Sequence, residues 1–164
     1  MSALPRAAGP SPSERQEVVG LLDVGVWALD TQDLHLYLST FWADAAFTEV
    51  GADGRARHWR GMDSIRAETA GRFRGPTGRQ HRLSNHLYRP LEQAGRRGWT
   101  VWSYWSTSTR HPDTGAVEFE MTGWLRDEVE ARSDRWGLLS REIGPWHPGV
   151  VHPLRLGNGT SAER

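Results

Sequence analysis

An α+β fold, with helices packed against one face of a curved sheet, is what this sequence predicts, on two observations. Apolar residues recur at helical spacing in its N-terminal part. From residue 79 onward, runs of aromatic and β-branched residues follow one another, separated by turn chemistry. Helices first and a long antiparallel meander after them make an α+β layout.

The elements follow in order. "PSERQEVVGLLDVGVWALD" places Val18, Leu21, Leu22, Val26 and Leu29 at helical spacing, with Ser13 as N-cap. "TQDLHLYLSTFW" carries Leu34, Leu38, Phe41 and Trp42 on one face of a second helix. Asp30 stands at the junction. Asp53-Gly54 marks a hairpin turn, and "MDSIRAETAGRF" is a third helix capped by Asp63 or Ser64. Strands are predicted over 81–89, 98–109, 116–126 and 136–144, joined by "EQAGRRG", "RHPDTGA" and "DEVEARSD". Residues 1–12 have the composition of a disordered tail, 13–147 form one domain, and the Pro- and Gly-rich residues 148–164 form a loose tail.

Composition narrows the function classes. At 164 residues the chain is long enough to bury a real core. Its 20 basic residues, all arginine, balance 20 acidic ones, so no net field favours nucleic acid or an anionic membrane. The absence of cysteine excludes disulfides, thiolate metal sites and a cysteine nucleophile. No apolar run approaches the roughly 20 residues of a membrane span, and the N-terminus lacks the apolar core of a signal peptide. A cytoplasmic location is the expectation. Nine tryptophans point to a bulky core or an aromatic-lined cavity.

The histidines of "RQHRLSNH" raise the question of a metal site. On an extended strand His81, Leu83 and Asn85 share one face, and Arg82, Ser84 and His86 the other, so the two histidines point apart and do not chelate. Asn85 lies about 13 Å along the strand from His81, so the two touch one ligand only if it is sizeable; otherwise Asn85 is a pocket-wall or edge amide. No H-E-x-x-H occurs, and prolines interrupt "HPGVVH"; no metal is expected. "NGT" at Asn158 lacks a secretory context, and "GRFRGPTGRQ" lacks the features of a phosphate loop.

The stretches "VWALDTQDLHLYLSTFWADAAF", "RGMDSI", "RQHRLSN" and "WGLLSREIGPW", in this order, resemble the SnoaL-like branch of the nuclear transport factor 2-like superfamily over about residues 14 to 147. The resemblance implies a cone-shaped barrel: a strongly bent antiparallel sheet around about three N-terminal helices, with a pocket at its open end. Such proteins include polyketide cyclases, dehydratases, isomerases, epoxide hydrolases and non-catalytic dioxygenase subunits, so fold does not fix function. The pattern of scytalone-type dehydratases implies Asp30 and His81 as catalytic residues; the tyrosine of that pattern is replaced here by Leu29.

An Asp-oriented imidazole can take and return protons near neutral pH, which suits abstraction beside a carbonyl followed by ring closure, elimination or double-bond migration. No cofactor is signalled. The alternative is structural: Asp30 as a helix cap and His81 as a hydrogen-bonded sheet residue. Alternation puts Trp99, Val101, Ser103 and Trp105 on one face of their strand, against Trp102, Tyr104 and Ser106 on the other, without saying which lines the pocket. If the second does, Tyr104 is an oxygen-binding donor and Trp102 a substrate wall; otherwise Tyr104 is amphipathic packing. Trp27, one turn before Asp30, lines the pocket or belongs to the core. Arg141, alternating with Leu139 and Ile143, binds a substrate carboxylate or enolate, or pairs with Glu118 or Glu120. The expectation is a cofactor-independent cyclase, dehydratase or isomerase for a hydrophobic polyketide- or terpenoid-like molecule, in a homodimer. The alternatives are a ligand-binding or subunit-type protein of the same fold, or an epoxide hydrolase.

Overall fold

A computed structural model describes residues 9–75, 77–92 and 95–146. Helix α1 spans Pro12–Asp30, α2 Leu34–Ser39 and α3 Met62–Arg72; the strands are β1 Phe41–Val50, β2 Ala56–Arg60, β3 Arg79–Pro90, β4 Gly98–Arg110, β5 Val117–Arg132 and β6 Arg135–Pro145. They form one six-stranded sheet in the order β2-β1-β6-β5-β4-β3. The α+β class holds, but the sheet is mixed: β1 runs parallel to β6, while the other four pairs are antiparallel. It is also open, with β2 and β3 as its edges. The bend comes from bulges, which shift the register in β1–β6, β3–β4, β4–β5 and β5–β6.

Several boundaries differ from expectation for local reasons. Helix α1 starts one residue before Ser13, because Ser11 and Glu14 form a reciprocal capping box ahead of Pro12. Residues 9–12, assigned to a tail, therefore belong partly to this helix; residues 1–8 and 148–164 lie outside the described ones, as do "HPGVVH" and Asn158. Helix α2 stops at Ser39, and Phe41 and Trp42 open β1 instead of extending a helical face. Phe41 aligns with Leu138 of β6, a tertiary pairing that overrides the local helical pattern. Gly61, at φ 79°, is the N-cap of α3, leaving Asp63 in the first turn, where its charge suits the helix dipole. "DEVEARSD" is mostly strand, and the turn is confined to Ser133-Asp134.

The core lies between the helices and the concave face of the sheet. Val18, Leu22 and Ala28 of α1, Tyr37 and Leu38 of α2, and Ile65 of α3 pack on Phe41, Phe47, Val101, Val129 and Leu138. The tryptophans have a second use. Trp105 pairs across strands with Gly123, and Trp124 with Gly144. A Cβ on Gly123 would overlap the Trp105 ring, one on Gly144 would lie 2.8 Å from Trp124, and one on Gly137 2.6 Å from Trp42. Indole over glycine covers backbone that a side chain would otherwise protect.

Candidate active site

The register of the sheet lays functional side chains on the concave face in rows. At the rim, Arg79 aligns with Thr109; next, His81 with Thr107 and Thr107 with Met121; then Leu83 with Trp105 and Trp105 with Gly123. Deeper, Ser103 aligns with Leu125 and Leu125 with Ile143; deeper still, Val101 with Asp127 and Asp127 with Arg141. The face thus passes from charged rim, through imidazole, to apolar and aromatic wall, to a buried ion pair. A cavity of about 530 Å³ occupies this concavity, lined among others by Leu29, Asp30, Tyr37, Phe47, Phe73, His81, Leu83, Trp105, Thr107, Glu120, Leu125, Arg141 and Ile143.

Asp30 and His81 meet at its mouth. Asp30 ends α1, where Thr31 caps the helix through Trp27 and Leu29 carbonyls. Its carboxylate is therefore free of capping and reaches β3: His81 Nδ1 lies 2.6 Å from Oδ1, and the His81 backbone N–H donates to both oxygens at 3.0 and 3.1 Å. A carboxylate only accepts, so a neutral ring carries its proton on Nδ1 and keeps the Nε2 lone pair. Among the described residues no hydrogen bond engages Nε2. The two side chains are about a fifth exposed, screened yet reachable.

Arg141 is buried, but its partner is Asp127 on β5, not Glu118 or Glu120. Nε donates to Oδ1 at 2.8 Å and Nη2 to Oδ2 at 2.9 Å. Burial opposes the guanidinium charge, but Asp127 more than offsets this and holds the arginine above its ordinary range. Tyr37 lies beside it, its phenol pushed up by burial and pulled back by Arg141. Glu118 instead meets His111, at 2.9 Å, in the exposed part of the β4–β5 hairpin.

Four expected site residues lie elsewhere. The inward face of β4 carries Trp99, Val101, Ser103 and Trp105, so Tyr104 and Trp102 point to the outer face. Tyr104 is 46% exposed and packs edge-on against Trp146, and Arg89 lies over Trp102. Neither is an oxygen donor or wall of the cavity. Asn85 sits in a β-bulge at φ 55° and faces solvent. The bulge inserts one residue and restores His86 to the inward face, where Nδ1 lies 2.7 Å from Ser103 Oγ, so His81 and His86 do not point apart. His86 is still no chelating partner, and among the described residues no three metal-binding side chains cluster. Trp27 is neither core nor cavity wall: 67% exposed, it borders an open groove that continues from Asp30 along β3.

Tyr37 and Thr107 were not anticipated as cavity residues, Trp105 stood on one of the two faces left open for β4, and Glu120 was expected only as a partner of Arg141 or an added carboxylate for hydrolysis. Trp105 and Thr107 follow from the phase of β4 once that phase is known. Glu120 is the extra residue of the β5 bulge, between Met121 opposite Thr107 and Phe119 opposite Ser108. Thr109 donates to it at 2.7 Å and Arg79 at 2.9 Å, and these contacts hold its carboxyl below the usual carboxylate range.

The fold recurs among solved structures. Aln2 from a Streptomyces species is 24% identical, with 89% of this chain and 99% of that chain covered and a TM-score of 0.69. ActVI-ORFA from Streptomyces coelicolor is 23% identical, over 80% and 96%, with a TM-score of 0.67. A scytalone dehydratase-like protein from Novosphingobium aromaticivorans is 16% identical, over 82% and 85%, at 0.66. At these identities the likeness concerns the fold. No curated protein matches the chain. The SnoaL-like domain matches residues 11–142, from the cap of α1 into β6. The chain belongs to the SnoaL-like domain family.

Proposed function

We propose that the cavity is the active site of a cofactor-independent cyclase, dehydratase or isomerase that works by acid/base chemistry on a hydrophobic, polyketide- or terpenoid-like molecule. The observation that carries this is the Asp30–His81 pair at the cavity mouth, with Nδ1 held at 2.6 Å and Nε2 unengaged among the described residues. Nε2 takes a proton from carbon beside a substrate carbonyl, and the C–H electrons pass to the carbonyl oxygen as an enolate. Asp30 stabilises the imidazolium so formed. The imidazolium then returns its proton in one of three ways: to the alkoxide formed when the enolate attacks a second carbonyl, to a β-hydroxyl that leaves as water while the enolate carbonyl re-forms, or to another carbon of the enolate. The guanidinium of Arg141 and the phenol of Tyr37, both lining the cavity, are the donors placed to receive a developing oxyanion. Leu83, Trp105, Leu125 and Ile143 supply an apolar wall that holds a flat substrate in a reactive fold.

An epoxide hydrolase reading draws on Glu120, which joins Asp30 in the cavity. Its carboxylate is already engaged by Arg79 and Thr109, which favours the lyase or isomerase reading. The test is mass spectrometry of the protein incubated with a metabolite extract, comparing wild type with His81→Ala. A His81-dependent product of unchanged mass means cyclisation or isomerisation, and one lighter by water means dehydration. One heavier by water means hydrolysis and overturns the proposal. A ligand retained equally by both proteins and never transformed means a binding protein.

A further inference from the structure

The charged side chains that line the cavity are paired off. Arg72 meets Glu49 at 2.6 Å, Arg79 meets Glu120 at 2.9 Å, and Arg141 meets Asp127 at 2.8 Å. Among the described residues lining the cavity, no arginine lacks a carboxylate partner. The remaining carboxylate, Asp30, is committed to His81. A ligand bearing a carboxylate would have to shed its water here, find no unpaired cation, and lie near Asp30, Glu49 or Glu120. A neutral carbonyl group meets none of these costs.

Resting on the cavity being the substrate site, we propose that it selects neutral carbonyl compounds against carboxylates, and that Glu120 enforces the selection by occupying Arg79. The placement of Glu120 is specific. It is the inserted residue of the β5 bulge, reaching across Thr109 of β4 to an arginine two positions before His81 on β3. Removing its charge exposes a guanidinium beside the catalytic imidazole.

The test uses two ligands of matched shape near neutral pH: 2-acetylnaphthalene, which is neutral, and 2-naphthoate, which is anionic. Calorimetric titration of the wild type should favour the ketone by at least about 10-fold. Glu120→Gln should lower that ratio by at least about 10-fold, and adding Arg79→Gln should restore it. Binding of neither ligand by the wild type would remove the cavity as a small-molecule site, and this inference with it. Equal binding of both by the wild type would leave the cavity standing and overturn the selection. An unchanged ratio in Glu120→Gln, or carboxylate binding that survives in the double variant, would overturn the role of Glu120 and Arg79. Ketone binding by each variant reports that its fold is intact; a variant that binds neither ligand while the wild type binds the ketone would also contradict the assignment, since these exposed rim residues are not core.

Discussion

His81 is tied to Asp30 twice, by its ring and by its own backbone amide, across 51 residues of sequence. The amide bonds fix the carboxylate relative to β3, so the ring finds it already oriented. Asp30→Asn keeps the shape but removes the charge that stabilises the imidazolium. The expected loss in turnover is about 10²–10⁴-fold, with little change in melting temperature. His81→Ala should cost as much, and the double variant little more than either, because the two act as one unit. Steady-state kinetics on the product-forming reaction check this.

Asp127→Ala leaves the Arg141 charge buried without its carboxylate. The arginine is 3% exposed and the aspartate fully buried, so the loss should be about 3–5 kcal/mol in urea unfolding. Removing both charges, as Asp127→Leu with Arg141→Met, should recover most of that stability while weakening any reaction that needs an oxyanion donor.

Gly123→Ala should destabilise by about 1–3 kcal/mol. Its Cβ would collide with the Trp105 indole nitrogen and the Gly144 carbonyl oxygen. Trp105 would have to leave its place on the cavity wall, so ligand affinity should fall along with melting temperature, whereas Gly20→Ala, which meets nothing within 4 Å, should be neutral or stabilising.

His86 gives the fold a pH dependence of definite sign. Burial depresses its pKa, with Asp23 and Asp127 pulling it up and Arg15 pushing it down. The unfolded chain therefore binds a proton that the folded one resists, and stability from this group is present above about pH 6.5 and lost as pH falls below it. Urea melts at stepped pH should show the wild type losing stability on acidification through this window, and His86→Gln losing less.

The α+β order, the helices and the hairpins were legible from residue types and spacing, whereas the Asp30–His81 pair was implied by the resemblance to scytalone-type dehydratases. Phase was not legible. The bulge at Asn85 and His86 has no local signature beyond an asparagine, yet it returns His86 to the inward face and puts Asn85 outside. Tyr104 and Trp105 are adjacent and equally aromatic, and only which face of β4 the folded sheet turns inward decides which of them lines the cavity. Phe41 and Trp42 fit a helical face until β6, nearly a hundred residues later, supplies a strand to pair with. Glu120 entered the site through a bulge in β5, and Arg141 chose Asp127 because register places those two opposite each other.

The most direct measurement is the tautomer of His81, read from long-range ¹H–¹⁵N correlations of its imidazole at about pH 8.5, where histidine is ordinarily neutral. Asp30 dictates a proton on Nδ1 and a lone pair on Nε2, and that pattern should revert in Asp30→Ala. A proton found on Nε2 in the wild type, or on both nitrogens, would contradict His81 as the base.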